Sequence, residues 1–212
     1  LELAKADLLG LSLPETHGGG GYGLLEAALI AEQIGRTVAP VPYVACIVGA
    51  AMPLARFGSD AQQSAHLPGV IAGTELLTLA AYEATDYDRP GLPTTTAPAV
   101  DGGWRLDGEK SFVVAADRAS RVLLLARTGE GTSTAFLVDP TTAGVHLSPE
   151  VAVTREPQWS IRLDGVIVGD DAVVGSLDGG AEVLAWTIDR TTAVLCSAQV
   201  GVCEAALAIT AK

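Results

Sequence analysis

Residues 101–138 read DGGWRLDGEKSFVVAADRASRVLLLARTGEGTSTAFLV, and this stretch decides the fold. Its apolar runs are short and rich in β-branched residues, and glycine-bearing turns interrupt them at close intervals, which is the pattern of antiparallel strands. Asp101-Gly102-Gly103 and Asp107-Gly108 supply turn chemistry for hairpins. Outward from this stretch, strands are expected over Leu76–Tyr82, Thr94–Val100, Gly103–Leu106, Lys110–Val114, Arg121–Arg127, Thr132–Val138 and Ser160–Val168.

The flanks have helical periodicity instead. Leu1, Leu3, Ala4 and Leu8 share one face of a short helix that Pro14 stops. A second helix runs from Leu24 to Arg36 and a third covers Tyr43 to Phe57. A fourth starts at Ser59 or Asp60 and passes through His66, where Leu67-Pro68-Gly69 is expected to break it. From Gly180 the helical pattern returns and continues to Lys212 without a stop signal, reading as a cut through a helix. Helices, then strands, then helix describe an α+β chain: an amino-terminal helical domain (1–75), a central antiparallel β-domain of barrel or sandwich type (76–179), and the first helix of a carboxy-terminal bundle (180–212). Gly18, Gly20 and Gly23 satisfy the letter of a dinucleotide fingerprint, but they follow a helix and a loop rather than a strand, so that reading is rejected.

Composition narrows the partners. With 212 residues, 49% of them hydrophobic, there is material for a real core; a formal charge of −12 repels nucleic acid and anionic membrane. The apolar region Val41–Ala55 holds Pro42 and Pro53 and falls short of the roughly 20 residues that cross a bilayer, so no membrane anchor is expected there. Cys46, Cys196 and Cys203 are an odd set in aliphatic surroundings, which points to buried thiols in a reducing cytoplasm. His17, His66 and His146 have no converging partners at metal-ligand spacing. Trp104, Trp159 and Trp186 read as core or interface anchors.

Four segments together resemble the acyl-CoA dehydrogenase family along essentially the whole chain. They are Leu13-Pro14-Glu15-Thr16-His17-Gly18-Gly19 with the helix bearing Glu32 and Gly35-Arg36; Phe57-Gly58-Ser59-Asp60 leading to Leu67-Pro68-Gly69; Trp104-Arg105-Leu106-Asp107-Gly108-Glu109-Lys110; and Ala135-Phe136-Leu137-Val138-Asp139 with Gly144-Val145, Val174-Gly175 and Asp189-Arg190. The resemblance implies FAD-dependent α,β-dehydrogenation of an acyl-CoA thioester. A carboxylate takes the α-proton, the β-hydrogen leaves as hydride, and electrons pass to an electron-transferring flavoprotein.

By the same resemblance, Leu79, Ala81, Tyr82, Phe112 and Val114 occupy cofactor-binding positions, and Asp88 and Arg190 substrate-binding ones. Asp189 stands where a minority of the family carries its catalytic glutamate, whereas most place the base in a region beyond Lys212. The sequence departs from the family here. Its Thr-Glu-Pro position reads Tyr82-Glu83-Ala84, its Gly-Ser-Asp position Tyr87-Asp88-Arg89 and its aromatic-Ile-Thr position Phe112-Val113-Val114, so two hydroxyls that meet the flavin are replaced by a phenol and a valine. Two arrangements follow from the resemblance: a self-sufficient FAD enzyme, or a subunit of a homo- or hetero-oligomer whose companion supplies intact flavin and base. A binding or scaffolding protein that keeps the fold without the chemistry is the alternative.

Overall fold

The computed structural model describes residues 2–84, 91–153 and 155–211. Helix α1 is only Glu2–Lys5, shorter than expected, followed by a 3-10 turn at Glu15–His17 and helix α2, Leu24–Thr37. The Glu26 carboxylate accepts the Gly23 N–H at 2.9 Å, satisfying one of the free donors at the start of α2. The single helix expected over Tyr43–Phe57 is a π-helical segment, Val44–Ala51, continued by α3, Met52–Phe57. Pro53 is the physical reason: it has no N–H for the Gly49 carbonyl and its ring crowds that carbonyl, and the widened turn lets Met52 N–H bond Ile47 instead.

Helix α4, Asp60–Ile71, opens with a reciprocal cap in which Gln62 N–H donates to Ser59 Oγ at 3.3 Å and Ser59 N–H to Gln62 Oε1 at 2.9 Å. It does not break at Pro68. One backbone bond is lost there, but Leu67 and Val70 on either side are buried at 0% and 2% exposure and hold the last turn down until Gly73, at φ +70°, ends it.

Two four-stranded sheets follow. The first orders β1 (Leu77–Ala80), β4 (Arg121–Gly129), β5 (Thr132–Val138) and β8 (Val173–Val174); the second orders β2 (Ala99–Val100), β3 (Gly103–Val114), β7 (Gln158–Val168) and β6 (Val145–Glu150). All pairs are antiparallel except β1 with β4, which is parallel. Along β4, Val122, Leu124 and Ala126 face the second sheet while Leu123 and Leu125 face the helices. The first sheet is therefore the middle of three layers, which explains why β4 is apolar on both faces rather than alternating. Asp107-Gly108 is not a hairpin turn. β3 runs straight through it because β7 carries the extra residue opposite, with Gly165 at φ +62° donating its N–H to Asp107 Oδ1 at 2.8 Å. The expected strand over Thr94–Val100 shrinks to Ala99–Val100, and β6 and β8 are strands the sequence reading did not anticipate.

Helix α5, Gly180–Thr210, packs Val183, Leu184 and Val194 into the helical core and crosses α2 with almost no separation. A Cβ on Gly35 would lie 1.9 Å from the Ala198 carbonyl oxygen, and one on Gly201 would lie 1.9 Å from that of Glu32. Arg36 bonds Glu32 at 2.9 Å and reaches across to Glu204. Contrary to the buried-thiol expectation, Cys46 is buried but Cys196 and Cys203 are exposed on α5. By length and composition alone α5 is also apolar enough to cross a membrane, a property the sequence reading sought only near Val41–Ala55.

Candidate functional site

Two residues of the motifs quoted above, Glu83 and Lys110, form one buried pair. The chain leaves β1 at Ala80, and Glu83 turns inward to meet Lys110 from the middle of β3, Nζ to Oε1 at 2.6 Å, with Lys110 fully buried and Glu83 4% exposed. The other lone pairs of Glu83 are filled: Thr95 donates its N–H at 3.1 Å and its hydroxyl at 2.6 Å to Oε1, while Thr94 donates its N–H at 2.7 Å and its hydroxyl to Oε2. Burial alone would raise the Glu83 carboxyl, but the Lys110 charge and these donors outweigh it and hold the pKa down to about 2. Burial pulls Lys110 below its ordinary value, and Glu83 opposes that pull. Both groups face protein rather than a cleft, so their role is to lock the return of the chain at Thr94-Thr95 onto the end of β1.

Past Lys110, β3 bulges between Lys110 and Val113, and Phe112 takes a left-handed backbone at φ +58°, a strained conformation for an aromatic residue. The bulge turns its ring outward, 43% exposed, and its N–H donates to Glu150 Oε2 at 2.9 Å at the end of β6. Neither Glu150 nor this contact was legible in the sequence, since 38 residues separate the partners. Tyr82 is 39% exposed, with its carbonyl accepting Ser111 N–H at 2.9 Å. The Val114 carbonyl accepts the Thr78 hydroxyl at 2.6 Å. Leu79 packs against the π-helical segment, where a Cβ on Gly49 would sit 3.2 Å from the Leu79 Cβ, and Ala81 is buried.

The structure thus brings Tyr82 and the Phe112 bulge to one edge shared by β1 and β3. Asp88 lies outside the described residues. Asp189 is exposed on α5; Arg190 stacks its guanidinium 3.8 Å from the Trp186 ring centre and donates to the Trp186 carbonyl at 3.1 Å. Phe57 meets the same indole edge-on at 5.6 Å, so Trp186, read from the sequence as a core or interface anchor, holds Arg190. Helix α5 packs on the helical side of the first sheet, where Trp186 and Ile188 share a core cluster with Leu79 and Ala81, whereas Phe112 and Val114 belong to the second sheet. Among the described residues no cluster of three or more His, Cys, Asp or Glu could hold a metal.

These residues fit a flavin ring poorly. Its polar edge calls for donors and acceptors, yet Val114 has none on its side chain, Phe112 N–H is taken by Glu150, and the Tyr82 and Val114 carbonyls each already accept one bond, from Ser111 and Thr78.

Comparisons with known proteins bear on this architecture. Residues 1–74 match the family described as "Acyl-CoA dehydrogenase, N-terminal domain". Acyl-CoA dehydrogenase FadE12 of Mycobacterium tuberculosis is 32% identical over 187 residues, covering 84% of this chain and 48% of that protein. Among solved structures, a variant of the Tcur3481-Tcur3483 steroid ACAD superposes with a TM-score of 0.87 at 36% identity, over 99% of this chain and 55% of its own. The ChsE4-ChsE5 complex from Mycobacterium tuberculosis gives 0.88 at 29% identity, over 99% and 55%. The chain spans about half the length of the curated relatives it matches. In motif order, layer order and likeness to these proteins, the chain belongs to the acyl-CoA dehydrogenase family.

Proposed function

We propose that the chain acts as the flavin-poor subunit of a heteromeric acyl-CoA dehydrogenase, with FAD and the catalytic base supplied by a companion subunit. The reaction is α,β-dehydrogenation of an acyl-CoA thioester, in a cytoplasmic assembly that passes electrons to an electron-transferring flavoprotein. The observation that carries this reading is the edge at Tyr82, Phe112 and Val114, where Glu150 takes the Phe112 N–H, Ser111 and Thr78 already donate to the Tyr82 and Val114 carbonyls, and the Val114 side chain offers no polar atom. It is supported by the likeness to the Tcur3481-Tcur3483 steroid ACAD and to the ChsE4-ChsE5 complex. When bound in the companion, the flavin supplies the hydride acceptor. This chain's own residues contribute scaffold: Glu83 and Lys110 fix the strand ends, and Glu150 holds the Phe112 ring outward at the shared edge. In this reading the division at 75/76 and 179/180 separates helical, β and bundle-forming parts, and Asp189 is not the base.

The test is the visible absorption of the purified protein, alone and co-expressed with the dehydrogenase subunit encoded beside it. Flavin only in the co-purified complex supports the proposal. A stoichiometric flavin band on this chain alone sinks it and restores a self-sufficient enzyme, and no flavin in either sample leaves the binding or scaffolding role.

A further inference from the structure

Strands β3, β7 and β6 lie side by side in the second sheet, and one rung crosses all three: Val114 pairs with Gln158, and Gln158 with Glu150. Residues directly opposite one another point their side chains to the same side of a sheet, so Val114 and Glu150 share a face. Two strand spacings put their Cα atoms about 10 Å apart. All three rung residues are half-buried, whereas Lys110, Val113 and Ile161 are buried in the interior. From the far strand the Glu150 side chain passes over β7, and its Oε2 accepts the Phe112 N–H at 2.9 Å. The bulge between Lys110 and Val113 takes Phe112 out of register with β7 and leaves this N–H for a side chain.

A bulged N–H needs only an acceptor, and a neutral amide oxygen would serve. A carboxylate adds a full negative charge. Among the described residues no lysine or arginine forms an ion pair with Glu150, so that charge is not neutralised in place. Any flavin held by Phe112 and Val114 must share their face with it. The pyrimidine part of a flavin is rich in carbonyl oxygens and gains negative charge when the ring is reduced. Half-buried charges are screened less than those in open water, so the carboxylate opposes both oxidation states, and the reduced one more.

We propose that the Glu150 carboxylate is the specificity-determining group that excludes flavin from this chain's own edge, through its charge rather than through the bond it makes. The inference rests on the reading above, in which FAD sits in the companion, and assigns the asymmetry between the two subunits to one side chain. FAD titration of the complex with its companion tests it, with bound flavin released and counted by visible absorbance. The parent for the test is Val114→Thr, which supplies the missing hydroxyl and leaves Glu150 in place. Adding Glu150→Gln to this parent yields one extra FAD per pair of subunits, bound at least about ten-fold more tightly than the parent binds it. Glutamine keeps an acceptor for the Phe112 N–H, so the melting temperature is unchanged and only the charge is lost. Glu150→Ala, which also frees the N–H, gains the extra FAD as well. No gain in either variant overturns the proposal. So does a gain in the alanine variant alone, which places the exclusion in the occupied N–H, and so does an extra FAD already present in the Val114→Thr parent. The native complex reads the function separately: if it holds no flavin at all, the functional reading falls, while a gain on Glu150→Gln still supports exclusion by the carboxylate.

Discussion

Lys110 has no exposure to water and one carboxylate to answer it. Removing the ammonium in Lys110→Met leaves Glu83 buried and uncompensated, at an expected cost of about 3–5 kcal/mol in chemical denaturation. The pH dependence reverses with it. In the native protein the Glu83 carboxyl is held at about 2 against an ordinary 4.5, so its stabilisation is complete above about 4.5 and drains away as pH falls toward 2. In Lys110→Met the folded pKa rises above the unfolded one, so stability is lost as pH climbs through the ordinary value. The double variant Glu83→Gln/Lys110→Met recovers much of the loss and flattens the profile; equal slopes in all three proteins would refute the pairing. Tyr43 offers a quieter check. Its hydroxyl is buried without a partner of hydrogen-bond geometry among the described residues, the nearby Ser12 hydroxyl being committed to the Gly23 carbonyl. Tyr43→Phe is expected to be neutral or to stabilise by up to about 1 kcal/mol in a thermal melt. At this scale the sequence named Glu83 and Lys110 but not their union, because they are 27 residues apart and local spacing carries no trace of a long-range pair. Glu150 had no signal at all, being one more polar residue on an edge strand.

Among the elements, the crossing of α2 and α5 is the most demanding. Adding a methyl at Gly35 or Gly201 pushes it into a backbone carbonyl that cannot rotate away, so either glycine-to-alanine change forces the helices apart, at about 1–3 kcal/mol each. Because both act on one crossing, their effects in thermal melts should be less than additive. Ser59→Ala removes the cap of α4 at a cost of about 1 kcal/mol. Element type was legible wherever periodicity was long, as in α2, β4, β5 and α5. It failed at prolines and glycines whose meaning is set by what lies opposite. Pro68 is tolerated because Leu67 and Val70 are buried, Pro53 widens the turn before it within a helix expected to run through it evenly, and Asp107-Gly108 stays extended because β7 supplies the bulge.

For the whole molecule, the second half of α5 leaves Leu195, Val200, Leu207 and Ile209 at 54%, 50%, 68% and 74% exposure. Exposed apolar surface of this kind marks a contact face. The chain purified alone is expected to self-associate in a concentration-dependent way, and Leu207→Glu/Ile209→Glu to suppress this in light scattering. If the double variant associates as strongly as the parent, the helix is not the sticky surface. Architecture was readable at this scale because helices, strands and helix come in blocks. The function of the edge at Tyr82 was readable only as departure from a motif, and required coordinates to show which main-chain groups were already engaged.

The middle position of the first sheet also sets a timetable for synthesis. Strand β4 presents Leu123 and Leu125 to a helical layer that includes Val183, Leu184 and Val194 of α5, residues made some sixty positions later. Until α5 emerges, a nascent chain carries a sheet with one apolar face only partly clothed. Its native packing is thus reached only once α5 has emerged, and in the interval it is a natural client for a chaperone that shields bare sheet.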